Sequence, residues 1–293
     1  MFQPFLVVAP ASLKNNLENL LGGMVHIQYT SDLHIDEFPK GTPFATFVTP
    51  VAPILIIAGD VCSVQNPLYW HFLAWCSRNW HIVILITGNH EYSCKSGKPL
   101  DIEACDSLIG EIAHKLGNVF FLQNGASYVI PGTRIRFIGA TLWSDIDPAI
   151  WSDVGTHKGD FKNIYVSDSR GFRLNTPSDS VARHAYHKMC LTSAIAPMAD
   201  KETLIVVTHH MPSMRLLEAH FQGEKYCTCY ASNDDDLFAP NVTAWICGHS
   251  HRATALRAYK GGPLLLMNAR GYNKPHELGR TEDKYNPSAT FRC

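Results

Sequence analysis

Apolar residues along this chain gather in short unbroken runs, and helix-spaced stretches separate them. Residues 25–30, 53–58 and 81–87 are runs of this kind, read as strands buried on both faces. Between the second and third runs, Leu68, Phe72, Trp75 and Cys76 recur at helical spacing over 67–79. Ile102, Cys105, Leu108, Ile109 and Ile112 do the same over 101–116. Strand-like pieces follow at 118–122, 127–130 and 134–140, the last two divided by the Pro131–Gly132 turn. A helix is expected over 177–199, buried strands at 204–208 and 242–247, and antiparallel strands at 253–259 and 263–268. Strands alternating with helices predict an α/β protein.

Three stretches depart from that rhythm. Residues 12–21 place Leu13, Leu17, Leu20 and Leu21 on one face of a small amphipathic helix that Gly22 ends. Residues 144–176, rich in Asp, Gly, Ser and Asn, are expected to form a long loop; ordered loops of that length are often functional. The tail, 273–293, is polar and expected to be irregular. With no internal repeat or linker, the chain divides into an N-terminal extension, 1–23, and a single domain, 24–293. The apolar stretch 5–8 is short, meets Pro10 and follows no basic residue, which argues against a secretory signal.

Composition narrows the function classes. Lys+Arg number 25 and Asp+Glu 26, for a net charge of -1, and no basic run occurs. That excludes a dedicated nucleic-acid-binding surface, whereas small phosphorylated substrates remain open because a metal site can supply positive charge. No apolar run approaches the length of a membrane span. The nine cysteines include no C-x-x-C, and several lie inside apolar runs, so a reducing, cytoplasmic setting is expected. Cys227 and Cys229 are the one pair with a thiolate-metal alternative.

The candidate chemistry sits just past the strand ends. The first strand runs into Ser31-Asp32-Leu33-His34, the second into Gly59-Asp60, and the third into Gly88-Asn89-His90-Glu91. The strands at 204–208 and 242–247 run into His209-His210 and Gly248-His249-Ser250-His251. Open α/β sheets bind ligands beyond the carboxyl ends of their strands, so these segments converge. Two divalent cations ~4 Å apart can clamp a phosphoryl group and acidify a shared water. Imidazole and carboxylate together suit Mn, Fe or Zn. Asp-x-His and His-x-His set both side chains on one side of an extended segment, and a lone Asp60 can bridge two ions. Each piece alone is more often a turn or an ordinary histidine; the case rests on five arriving in order, each after a buried strand.

Together these motifs resemble the calcineurin-like metallophosphoesterase superfamily, over about residues 24–272. The resemblance implies a four-layer α/β/β/α sandwich of the metallo-dependent phosphatase type, with a dinuclear site at one edge. It implies that Asp32, His34 and His251 hold one metal, that Asn89, His209 and His249 hold the other, and that Asp60 bridges them. It implies further that His90 contacts the phosphate and protonates the leaving oxygen while a bridging hydroxide attacks phosphorus in line. His209 is favoured over adjacent His210 as ligand, which leaves His210 to face substrate or to support its neighbour. Protein phosphatases continue Gly-Asp with Asp-Arg-Gly; here Val61-Cys62-Ser63 follows, so the Asp that would pair with the catalytic histidine is missing. The likeness is nearest to a branch of small, poorly characterised phosphodiesterase-like proteins. It extends to Gly139-Ala140-Thr141-Leu142-Trp143, Thr208-His209-His210-Met211-Pro212-Ser213 and Asn268-Ala269-Arg270-Gly271-Tyr272.

Other residues carry open readings. Arg270 either stabilises phosphate charge or forms an ion pair at a strand end. His184 and His187 are expected to pack or face solvent. Asp145, Asp160 and Asn163 are candidates to shape the pocket, and Trp70, Trp75, Trp80 and Trp143 are read as core. The leading expectation is a hydrolase of modest-sized phosphodiesters; a phosphomonoesterase or protein phosphatase with the same site, or a non-catalytic metal-binding scaffold, are the alternatives. The substrate, the metal, the oligomeric state and the purpose of residues 1–23 are not written in the sequence.

Overall fold

The computed structural model describes residues 24–196, 203–274 and 284–293. The amphipathic helix expected at 12–21 lies outside them. Two sheets carry the fold. In the first, β1 (His26–Thr30), β2 (Ile54–Ala58), β3 (Ile82–Ile86) and β4 (Val119–Phe121) run parallel, and β13 (Thr290–Arg292) adds antiparallel to β1. The second contains β5 (Ala126–Val129), β6 (Ile135–Ala140), β9 (Thr203–Thr208), β10 (Val242–Cys247), β11 (Ala253–Arg257) and β12 (Leu264–Asn268). Their order is β11-β12-β10-β9-β6-β5, with β6, β9, β10 and β12 parallel and β5 and β11 as antiparallel edges.

Side chains alternate across a strand, and here both faces are apolar, so each sheet serves two cores. Ile54, Ile56, Ile82 and Ile84 meet Phe137, Ile205, Val207 and Ile246 between the sheets. The alternate residues Leu55, Ile57, Val83 and Leu85 face α1 (Pro67–Asn79) and α2 (Ile102–Leu116). On the far side, Ile138, Leu204, Val206 and Trp245 pack against Leu191, Ala194 and Ile195 of α5 (Pro177–Ile195). The result is the four-layer α/β/β/α sandwich. Each of these buried aliphatic side chains stabilises it by ~1.5–3 kcal/mol against ordering entropy.

Three expectations change. Residues 144–176 are not one long loop but hold α3 (Trp151–His157), α4 (Asp160–Asn163) and a hairpin of β7 (Tyr165–Asp168) and β8 (Gly171–Leu174). A small core of Ile146, Ile150, Val154 and Phe161 with Cys229 orders the first part. Arg173 clamps the second, within 2.6–2.8 Å of Asp168 and Asp179. The tail is not wholly irregular, because Thr290–Arg292 pairs with β1 and buries Phe291 against Tyr29. Trp143 and Trp80 are core, but Trp70 lies off the apolar face of α1 and is exposed. Among the described residues, no helix is long and apolar enough to cross a membrane.

Candidate active site

The polar segments at the carboxyl ends of β1, β2, β3, β9 and β10 meet where the two sheets come together. Most of the non-glycine residues with left-handed backbone cluster here. Asp32 (φ 53°) and His34 (φ 41°) follow β1, Asp60 (φ 59°) follows β2, and His249 (φ 72°) and His251 (φ 54°) follow β10. That conformation costs about 1–3 kcal/mol per residue and persists only where the surroundings enforce it. Gly59 adopts it too (φ 84°), whereas Gly88 and Gly248 do not. Those two are required for close approach rather than for a turn. A Cβ on Gly88 would lie 2.2 Å from Asp60 Oδ1, and one on Gly248 would lie 2.4 Å from Asp32 Oδ2.

Asp60 sits at the centre, buried. Its Oδ2 is 3.3 Å from His209 Nε2 and 3.8 Å from His34 Nε2, and its Oδ1 accepts from the His90 backbone N–H at 2.8 Å. On one side His34 Nε2 and His251 Nε2 approach to 3.0 Å, and His251 Nε2 is 3.6 Å from Asp32 Oδ1. On the other, His209 Nε2 lies 3.2 Å from both Asn89 Oδ1 and His249 Nδ1. His210 is buried beside this second group, its ring 4.0 Å from that of His249 and stacked on Trp143.

Hydrogen bonds behind the second group fix which atoms face inward. A carbonyl can only accept, so His209 Nδ1–H donates to Ala58 O (2.8 Å) and His249 Nε2–H donates to Cys229 O (3.3 Å). In the neutral rings, bare nitrogen lone pairs therefore face each other, alongside Asn89 Oδ1 and Asp60 Oδ2. Convergent acceptors repel unless a proton or cation lies between them. Two donors bound to one ion at ~2.1 Å stand about 3.0–3.4 Å apart, which matches these separations. Nitrogen and oxygen donors in this mixture fit Mn, Fe or Zn.

Electrostatics show that positive charge is drawn to this point, as a proton on His209 where no cation is bound. Burial opposes charge on His209, yet the adjoining Asp60 carboxylate outweighs it and lifts His209 to about 10. Burial, reinforced by neighbouring imidazoles, holds His34, His210 and His249 well below the usual histidine range, in the neutral form a ligand needs. Burial would raise Asp60, but the surrounding histidines keep it well below the usual carboxylate range.

Several functional contacts were not read from the sequence. The Glu91 carboxylate accepts from the backbone N–H groups of Asp60, Val61 and Gly88 at 2.7–3.0 Å, tying the loops after β2 and β3 together. The Tyr272 hydroxyl meets His90 Nε2 at 3.0 Å, and its ring packs on His34. His187 accepts from Leu142 N–H and His184 Nδ1 donates to Leu142 O, so α5 holds the left-handed Leu142-Trp143 step behind His210. Glu91 and Tyr272 lie inside motifs visible in the sequence, but Asp60, Val61 and His90, which they meet, lie in other strand-end loops.

The site opens into a cavity of about 770 Å³. Asp60, Asn89, His90 and His249 line it among the candidate ligands, and the 143–163 and 217–230 segments wall it with Trp143, Phe161, Phe221 and Tyr226 among others. Asp160 and Asn163 line it; Asp145 and Arg270 are not among the lining residues. The Arg270 guanidinium lies 3.8 Å over the Phe38 ring and 4.7 Å over that of Phe47. All nine cysteines are free, and no described cysteine joins a candidate metal cluster.

Comparisons with known proteins agree with this geometry. The family model described as calcineurin-like phosphoesterase matches residues 29–253. An uncharacterised protein, L509, of Acanthamoeba polyphaga mimivirus is 24% identical over 249 residues, covering 80% of this chain and 82% of that protein. The crystal structure of the phosphopantetheinyl hydrolase PptH from Mycobacterium tuberculosis superposes with a TM-score of 0.65 at 20% identity. That match covers 92% of this chain and 97% of the other, and it shows the shared fold. With the match spanning most of its length and every strand end in place, this chain belongs to the calcineurin-like phosphoesterase family, whose members hydrolyse phosphate esters with bound metal ions.

Proposed function

We propose that this protein is a dinuclear-metal phosphodiesterase acting on small phosphorylated substrates such as nucleotides or other modest-sized diesters. Asp32, His34 and His251 would hold one ion, Asn89, His209 and His249 the other, and Asp60 both. The observation that carries this reading is the convergence of Asn89 Oδ1, His249 Nδ1 and Asp60 Oδ2 on His209 Nε2, four acceptor atoms among which at most one proton can lie. Bound cations of the Mn, Fe or Zn type supply charge neutralisation at the phosphoryl oxygens and a water acidified for attack.

The chain's own groups do the rest. His90 lines the cavity to give a proton to the departing oxygen, and Tyr272 holds its ring through Nε2. Among the described residues, no carboxylate is hydrogen-bonded to that ring. A phosphomonoester dianion calls for further cations. Of the three lysine and arginine side chains lining the cavity, two are paired with carboxylates, Lys95 with Glu37 at 3.1 Å and Arg252 with Glu218 at 2.9 Å. That leaves Lys158, held by the Tyr230 hydroxyl at 2.6 Å, as the single un-neutralised one. A diester carries one charge and two arms, which suits a roomy, largely apolar cavity. PptH, by its name, acts on a phosphopantetheinyl group, a small phosphorylated substrate of the same general kind. His210, beside the second ligand group and among the cavity's lining residues, would touch such a substrate.

The test combines elemental analysis with hydrolysis of bis-p-nitrophenyl and mono-p-nitrophenyl phosphate after Mn loading. About two metals per chain and at least about tenfold higher kcat/KM on the diester are expected, a margin of ~1.4 kcal/mol. A monoester preference would move the protein to the phosphomonoesterases. No bound metal after reconstitution would remove the reading altogether.

A further inference from the structure

Asn89 is an unusual ligand because its amide has two ends of similar shape and opposite character. Its oxygen can face a cation; its NH2 group cannot. Whichever end points toward His209 must be fixed by what the other end meets. Here Asn89 Nδ2 donates to Asp160 Oδ1 at 2.8 Å, while Asn89 Oδ1 faces His209 Nε2 at 3.2 Å. A carboxylate can only accept, so Asp160 selects one of the two amide orientations. Turned the other way, Asn89 would set its carbonyl oxygen against the Asp160 carboxylate and its NH2 against the ion position.

We infer that Asp160 is a positioning residue for the second metal position, acting through Asn89 and not as a ligand itself. The inference rests on the metal reading above and deepens it. Asp160 belongs to the four-residue α4, in the segment that walls the cavity, far in sequence from Asn89. It does not belong to any of the His/Asp clusters whose donor atoms converge. Backbone contacts hold α4 in place independently: Cys94 N–H donates to Asn163 O at 2.8 Å and Asn163 N–H to Gly159 O at 3.0 Å. Removing the Asp160 side chain therefore leaves the segment's main supports. Hydrogen-bonding partners behind metal ligands typically change metal affinity by about 10–100-fold when removed.

The experiment titrates Mn into metal-free full-length protein by calorimetry and measures metal content after dialysis, for wild type and four variants. In Asp160→Ala, affinity at one of the two sites should fall by about tenfold or more, with retained metal dropping toward one per chain. Asp160→Asn keeps an acceptor oxygen and should stay within a few-fold of wild type. Asn89→Asp sets two carboxylates 2.8 Å apart and should bind Mn weakly. In Asn89→Asp/Asp160→Asn the amide introduced at position 160 can donate to the carboxylate introduced at position 89, so binding should recover; effects that simply add would overturn the pairing. Wild type retaining two metals while Asp160→Ala matches it in both affinity and content would also overturn the inference, leaving the metal reading intact. Wild type binding no metal would overturn both.

Discussion

The two sheets contribute opposite halves of the site. The first supplies the oxygen donors Asp32, Asp60 and Asn89 with one imidazole, His34; the second supplies the imidazoles His209, His249 and His251. They are also braced differently. Glu91 ties the first sheet's loops through three backbone N–H groups, while the carbonyls of Ala58 and Cys229 orient His209 and His249. The carboxylates thus gather on one sheet and most of the imidazoles on the other, and whatever positive charge lies between them, a bound cation or the proton on His209, links the halves of the sandwich. The Ala58 carbonyl makes the point locally, since a β2 backbone group sets the tautomer of a residue on β9's end.

Asp60 is where that division breaks most sharply. Asp60→Asn removes the central charge without changing shape, and diester hydrolysis in the Mn-loaded protein should fall by about 10²–10³-fold, measured as kcat. The close approach of the loops comes next. Gly88→Ala should cost at least ~1–3 kcal/mol in a urea melt, because its methyl meets Asp60 on one side and His209 on the other. Gly248→Ala should do the same from the second sheet against Asp32; if both variants melt as wild type, the packing argument at the seam is wrong.

Chelation probes the link between the sheets directly. A metal held at 100-fold above its Kd adds ~2.7 kcal/mol, so stripping one should lower Tm by several degrees, and re-adding Mn should restore it. An unchanged Tm on chelation would mean the sheets need no cation to stay joined. Tyr272→Phe deletes one hydrogen bond to His90 and should lower kcat by about tenfold with KM little changed. The smallest effect is expected on the wall. Tyr226→Ala should raise KM for an aryl diester a few-fold, at the scale of one lost side-chain contact, and leave metal content unchanged.

What the sequence made legible follows from the same physics. Strands buried on both faces are unbroken apolar runs, so 53–58 and 81–87 announced β2 and β3, and the polar residues after them could be placed at one edge. The β7–β8 hairpin stayed hidden because its two four-residue strands are mostly exposed and carry no alternation; the Tyr165–Phe172 stack and the Arg173 clamp hold it. The three-residue β13 has meaning only through β1, which lies at the other end of the described chain. Asp160 was legible as one of three loop residues that could shape the pocket, but its bond to Asn89 was not, because that amide lies 71 residues away. Gly88 and Gly248 stand in the sequence only as neighbours of the candidate ligands; their role is room for a carboxylate, which only the packed structure displays.

The left-handed backbone at the strand ends has a consequence for what can be substituted there. Outside glycine, that conformation is tolerated chiefly by Asn, Asp and His. Those are also the short side chains whose oxygen or nitrogen suits a borderline divalent ion. At Asp32, His34, Asp60, His249 and His251, backbone shape and donor chemistry therefore restrict the alphabet to the same few letters. A library that exchanges these positions for Glu, Gln or Cys to alter metal preference would be filtered first by folding. New metal selectivity in this scaffold is more accessible from the residues that orient the ligands than from the ligands themselves.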